Sequence, residues 1–219
     1  EQFALQLRDR EARAVRALRA APALADLRSP LLVDDAGQHR VEAALAGPGK
    51  EILIYGTGTI GLLCAQLAQA AGANVHLVGR NERTIKLAHE IGIKSAGTDL
   101  VKPRTGFDGI IDATNHKSIP NEIVQAVEPG GRVVYIGISG EPSLIDSRDL
   151  ALKDVTAVGI LSASPGLKGA IEIFARGEVD PRPLIAATIS LNEVHDVFMG
   201  KRPKGAGDGP KIHIDPRIK

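Results

Sequence analysis

The stretch "EILIYGTGTIGLLCAQLAQAAG", Glu51 to Gly72, sets Gly56, Gly58 and Gly61 in a G-x-G-x-x-G spacing, behind five strand-like residues and ahead of an apolar run at helical spacing. In a strand-turn-helix context each glycine has its own task. The first permits the tight turn, the second lets the backbone approach a pyrophosphate, and the third lets helix and strand pack closely. The intervening Thr57, Thr59 and Ile60 belong to the same turn, whose exposed amides and helix dipole favour negative charge. About twenty residues on, at the end of the next strand, an acid would bind the ribose 2′-hydroxyl of NAD. The chain reads "HLVGRNER" there, with Gly79, Arg80 and Asn81 at that point and Arg83 one turn later. Removing a carboxylate and adding a guanidinium favours a 2′-phosphate, so NADP is the expected cofactor and NAD remains open. A methyltransferase also wants an acid at this strand end, and Gly79 counts against one.

Other catalytic arrangements fail on spacing. A Tyr-x-x-x-Lys pair is absent, because Thr59 stands four residues after Tyr55 and Ser139 four after Tyr135. The 6 histidines, at 39, 76, 89, 116, 195 and 213, are scattered. His116 alone falls just past a strand's C-terminal end, facing the expected crevice, where a solvent-contacting loop histidine is the plainer reading than a proton donor. Cys64, the 1 cysteine, excludes an internal disulfide and a zinc site built from several cysteines; it reads as a small apolar residue on a buried helix face. No metal site and no catalytic residue is assigned from the sequence.

The elements that must hold these residues alternate. Strands are expected near Ile52 to Tyr55, Val75 to Val78, Gly109 to Asp112, Val133 to Ile138 and Val155 to Leu161, with a weak one at Ser95 to Thr98. Helices are expected at Ile60 to Ala71, Glu82 to Ile91, Ile119 to Val127 and Leu167 to Phe174. This is the pattern of an α/β protein with a doubly wound parallel sheet. "SLNE", Ser190 to Glu193, reads as a capping box opening a short helix through Phe198. The strand C-terminal ends of such a sheet line its crevice, which places Asp112 to Asn115 and Ile138 to Gly140 on geometry.

Residues 1–50 read as a separate, mainly helical N-terminal segment, followed by the nucleotide-binding domain at 51–219. "FALQL" alternates like a strand, "DREARAVRALRAA" is an arginine-rich helix ended by Pro22, and "GQHRVEAALAG" is a second helix. The arginines between Arg8 and Arg19 are interspersed with Asp9 and Glu11, as on a solvated helix face. The composition supports no nucleic-acid partner: the formal net charge is +1, aromatics are 3% and tryptophan is absent. No apolar run reaches the roughly 18 residues of a membrane span and "EQFALQLRDRE" lacks a signal-peptide core, so a soluble cytoplasmic protein is expected.

Five ordered segments, "YGTGTIGLLCAQLAQAAGANVHLVGRNERTIKLAHEIG", "FDGIIDATN", "VEPGGRVVYIGIS", "LALKDVTAVGIL" and "FARGEVDPRPLI", together resemble the cofactor domain of the medium-chain dehydrogenases, the zinc alcohol and polyol dehydrogenase superfamily. The resemblance runs from about Gly49 to Asp215 and implies a six-stranded Rossmann sheet. It further implies Thr114 and Asn115 beside the adenosine half of the cofactor, Ile138 and the backbone from Ile160 through Leu161 to Ser162 facing the nicotinamide, and Lys211 near the pyrophosphate. The implied activity is hydride transfer between NADP(H) and a small alcohol or carbonyl substrate, with room for a homodimer. Residues 1–50 depart from that family's long β-rich catalytic domain and its metal ligands. They hold no cysteine and one histidine, His39; a loose alignment sets Asp34, otherwise a helix N-cap, near an acidic ligand position. A catalytic domain missing or reduced is therefore expected. Two alternatives stay open: a non-catalytic NAD(P)-binding module, and a cofactor domain excised from a multidomain reductase.

Overall fold

The structure is a computed structural model that describes residue 41 and residues 44–100, 103–161 and 167–218, with backbone alone at 167–169. The strand and the arginine-rich helix expected near the N-terminus, and with them Asp34 and His39, lie outside the described residues, as does Ser162; of the second expected helix, Val41 is helical and the chain is already in a turn at Ala44.

In chain order the elements are β1 (Glu51–Tyr55), α1 (Thr59–Ala70), β2 (Asn74–Val78), α2 (Glu82–Glu90), β3 (Ser95–Gly97), β4 (Phe107–Asp112), α3 (Ile119–Ala126), β5 (Val127–Tyr135), α4 (Ser147–Leu152), β6 (Thr156–Gly159) and α5 (Leu167–Ala175). After them come β7 (Ile185–Ile189), α6 (Val194–Phe198) and β8 (Lys211–Ile214). The first six strands form one parallel sheet in the order β3-β2-β1-β4-β5-β6. This is a doubly wound Rossmann sheet, whose strand order reverses between β1 and β4.

Alternation along each strand explains why the apolar runs are unbroken. Ile52 and Ile54 of β1 pack on one face with Leu62 and Ala65 of α1 and Leu87 of α2. Leu53 and Tyr55 pack on the other with Ile123 and Val124 of α3. A strand buried on both faces needs no polar position, and Ile52, Leu53 and Ile54 are all fully buried.

Two expectations change. The fifth strand is Val127–Tyr135 rather than Val133 to Ile138: Val127 already pairs with Phe107, and an irregularity before the Gly109 and Arg132 pair absorbs the "EPGG" residues. It ends at Tyr135 because the chain then crosses close over β4's exit, where a Cβ on Gly137 would overlap the Thr114 carbonyl. The second change is a parallel pair, β7 with β8, outside the main sheet; its strands and α4 had no distinct periodic signal. Glu193 does reach back to the Ser190 backbone N–H at 2.9 Å, and the turn it opens is a 3₁₀ turn, Leu191–Glu193, ahead of α6.

Candidate functional site

Where β1 and β4 diverge, the chain leaves Tyr55 through Gly56, at φ +108°. The Gly56 N–H donates to the Val78 carbonyl at 2.7 Å, and the Ala113 N–H donates to the Tyr55 carbonyl at 2.9 Å. A Cβ at Gly56 would stand 2.7 Å from the Ala113 carbonyl oxygen, so both torsion and space demand glycine. At Gly61 a Cβ would overlap the Gly56 carbonyl, which makes this the residue of close helix and strand packing. Gly58 is different. Its backbone is ordinary extended chain (φ −77°, ψ −178°), and a Cβ there would meet nothing within 4 Å. It is the N-cap of α1, with no side-chain cap and no acid in the first helical turn, so the helix's first amides and positive dipole end open onto free space.

Beside this turn lies a cleft of about 640 Å³. Of the residues singled out in the sequence, Gly56, Thr57, Gly79, Arg80, Asn81, Thr114 and Asn115 line it together. Gly58, Thr59, Ile60 and Gly61 form the adjoining turn and first helical residues without lining it, and Arg83 follows in the first turn of α2. Ile138 and Leu161, past the ends of β5 and β6, are 68% and 77% exposed and lie outside the lining. Lys211 is exposed at the start of β8, also outside it. The sequence reading missed Thr98, Asp99 and Leu100, which enter from the end of β3, and Tyr55, Ser118, Ile119 and Glu122. The strand-end rule would have found the first three once β3 was paired beside β2.

At the end of β2, Gly79 is buried, and a Cβ built there would collide with the side chain of Thr57. The Thr57 and Thr84 hydroxyls are hydrogen-bonded at 2.7 Å, both residues being buried. Asn81 caps α2, its Oδ1 accepting from the Arg83 N–H at 3.1 Å, while Arg80 is exposed at the cleft wall. At the end of β4 the buried Asp112 carboxylate accepts from the Thr114 N–H at 2.9 Å and the Thr114 hydroxyl at 2.7 Å, fixing the loop that carries Thr114 and Asn115. Burial raises the Asp112 pKa against the pull of those two bonds. Tyr135 is pushed up to about 12 by burial and by the Asp112 charge, and Tyr55 is raised by burial, then by Glu122 and Asp112.

His116 lines the cleft, exposed, with Nδ1 3.0 Å from the Ser118 hydroxyl, which donates to Glu122 at 2.6 Å. His76, scattered by spacing alone, is bonded to Glu51 at 2.7 Å and Ser95 at 3.0 Å, across the N-terminal ends of β1, β2 and β3 and so at the edge away from the cleft. Among the described residues no group of three or more His, Cys, Asp or Glu is placed to hold a metal ion, and Cys64 is buried in α1. Among them, too, no helix is long and apolar enough to cross a membrane.

The model of the zinc-binding dehydrogenase family matches residues 59–176. An alcohol dehydrogenase of Geobacillus stearothermophilus is 31% identical over 162 residues, 70% of this chain and 47% of its own. A 2-dehydro-3-deoxy-L-galactonate 5-dehydrogenase of Pseudoalteromonas atlantica is 28% identical over 204 residues, 87% of this chain and 60% of its own. Among solved structures, a protein of Sinorhizobium meliloti 1021 described as a zinc-binding dehydrogenase and bound to NADP superposes with a TM-score of 0.72 at 25% identity, covering 83% of this chain and 56% of that one. The chain thus spans about half the length of the relatives it matches. Its described residues do not supply the donor set for the zinc that the family's description implies. With the match extending over more than half of its residues, from the first turn of α1 to the end of α5, the chain belongs to the zinc-binding dehydrogenase family.

Proposed function

We propose that the cleft binds a nicotinamide dinucleotide, NADP(H) in preference to NAD(H), and that the chain is the cofactor-binding part of an oxidoreductase acting on a small alcohol or carbonyl compound. The observation that carries this reading is the uncapped N-terminus of α1 opening over Gly58, with Gly79 and Arg80 at the end of β2 lining the adjoining cleft. The space in front of Gly58 fits a pyrophosphate held by the amides of Thr59, Ile60 and Gly61. Thr114 and Asn115 face the adenosine half, and Arg80 pairs the 2′-phosphate, supported by Arg83 one turn on. Ile138 and Leu161, past the ends of β5 and β6, face the nicotinamide half, and Lys211, at the start of β8, serves the pyrophosphate. Bound there, the cofactor supplies hydride chemistry, and the chain binds and orients it. No step is assigned to a metal, and no described residue is assigned as acid or base. The NADP in the Sinorhizobium meliloti protein supports the cofactor class. A homodimer is proposed through the edge strand β6, which among the described residues has one neighbour, β5.

The test is a titration of the chain with NADPH and NADH. Arg80→Ala should weaken NADPH by roughly 1.5–3 kcal/mol, the range of a charge-assisted hydrogen bond, and leave NADH nearly unchanged. Equal losses for both would remove the 2′-phosphate from Arg80.

A further inference from the structure

We propose that Glu51, His76 and Ser95 form a second site, an acyl-transfer centre at the N-terminal edge of the main sheet, with Ser95 as the nucleophile toward a short-chain carboxylic ester. The dinucleotide cleft opens at the other edge, so this site stands apart from the cofactor reading. Spacing gave no hint of it, since the residues are 25 and 19 positions apart. The parallel pairing of β1, β2 and β3 sets them side by side.

A carboxylate, an imidazole and a hydroxyl stand here in line. Glu51 Oε2 lies 2.7 Å from His76 Nε2, and His76 Nδ1 lies 3.0 Å from Ser95 Oγ. The Asn74 amide donates to Glu51 Oε1 at 2.7 Å and so orients the carboxylate through its other oxygen. A carboxylate only accepts, so Nε2 carries the imidazole proton, Nδ1 is left as acceptor, and the Ser95 hydroxyl donates to it. A serine donating to a base that a third group orients is an activated nucleophile. The ring is also held from the side: the buried Phe107 meets it edge-on, with centroids 5.4 Å apart and planes at 73°. The side chains of His76 and Glu51 are 17% and 16% exposed, so the pair is shielded without being sealed.

All three residues line a cleft of about 470 Å³, together with Ile93, Pro103 and Lys94. A smaller hollow of about 240 Å³ shares His76, Ser95 and Lys94 and adds Ala96. The volume and the apolar wall suit a short acyl chain. β3 is the sheet's edge strand, and its Gly97 carbonyl accepts from the Gly79 N–H at 3.0 Å, so Gly97 faces β2 and the Ala96 N–H faces the open edge. That N–H, on the residue after the nucleophile, and the Lys94 ammonium are the donors for the oxyanion. α1 and α2 both end at this edge, and their negative poles favour the imidazolium that forms on His76. In the reaction, Ser95 Oγ bonds to the acyl carbon while its proton passes to Nδ1. The ester C–O bond then breaks and the alcohol leaves with that proton. Water attacks the acyl-serine, gives a proton to Nδ1, and the acid departs as the proton returns to Oγ. The net change is ester plus water to acid plus alcohol.

The probe is a fluorophosphonate, which phosphonylates activated serines with loss of fluoride, read on the 219-residue chain by intact mass and peptide mapping. One adduct per chain is expected, on Ser95, and the native chain should hydrolyse p-nitrophenyl butyrate. Ser95→Ala, a change at a half-buried position, should keep the thermal midpoint and lose both signals. His76→Gln should slow labelling by roughly a hundredfold or more, the contribution of a general base. Glu51→Gln should lower kcat for the ester and leave KM nearly unchanged, as a positioning residue does. Labelling should also vanish in urea, which tests for a built site even where a variant does not fold. No adduct, an adduct on another serine, or equal labelling of the native and unfolded chains would overturn the proposal. So would a folded His76→Gln chain that reacts at the parent's rate, which would leave His76 as a tie between strands.

Discussion

Asp112 sits at the C-terminal end of β4, 2% exposed, between Tyr55 and Tyr135 on the neighbouring strands. Burial raises its pKa above the ordinary 3.8 even though Thr114 donates two hydrogen bonds to it. A carboxyl with a raised folded pKa favours the folded state while it is protonated. That contribution is complete below the unfolded value near 3.8 and is lost as pH rises through the folded value. Asp112→Asn keeps an oxygen to accept from Thr114 and removes the charge. The variant should therefore be at least as stable as the parent at pH 7, and the parent should gain on it as pH is lowered toward 4. Thermal midpoints of the two chains across that range check the sign; a gap independent of pH would mean that Asp112 is ionised at no cost. The same substitution should leave the orientation of Thr114, and hence dinucleotide affinity, nearly unchanged.

Among elements, the turn between β1 and α1 separates folding from binding, one glycine at a time. Gly58→Val adds a side chain where nothing lies within 4 Å and the backbone is extended, so the chain should fold with its midpoint nearly intact and lose measurable dinucleotide binding. Gly61→Val drives its Cβ into the Gly56 carbonyl and should destabilise the fold by roughly 1–3 kcal/mol or more. Circular dichroism beside a cofactor titration tells the two apart; wild-type affinity in Gly58→Val would reduce the motif to a turn. The spacing alone disclosed this motif, and the apolar runs disclosed β1 and β4, because strands buried on both faces leave so plain a pattern; β2, with Leu77 alone buried, was disclosed by Val75, Leu77 and Val78. Position 79 shows where legibility stops. That it lacks a carboxylate is visible in the letters, but that a Cβ there would meet the Thr57 side chain depends on a distance between residues 22 positions apart, which only the folded chain sets. Asp99 was hidden for a related reason, since β3 is only three residues long and its place beside β2 is a matter of sheet order. β7 and β8 were hidden because strands of five and four residues carry little alternation, β8 being mostly exposed as well.

For the whole molecule, the order β3-β2-β1-β4-β5-β6 divides the sheet into two halves made of neighbours in sequence. Asn74 bonds Glu51 across 23 positions and His76 bonds Ser95 across 19, whereas the Glu51 N–H reaches Asp108 across 57. Among the strand pairings of the described residues, only that of β1 with β4 joins the halves, and it is also the seam from which the cleft opens. That has a kinetic consequence. Closing the longest loop is the step whose entropy must be met before its contacts repay it, so the seam should be formed in the rate-limiting transition state. Ile54→Val and Ile111→Val, each removing one buried methyl group at a cost of about 0.5–1.5 kcal/mol, should then slow refolding. Leu77→Val on β2 should chiefly speed unfolding, and stopped-flow refolding of the three variants would place the bottleneck at the seam or away from it.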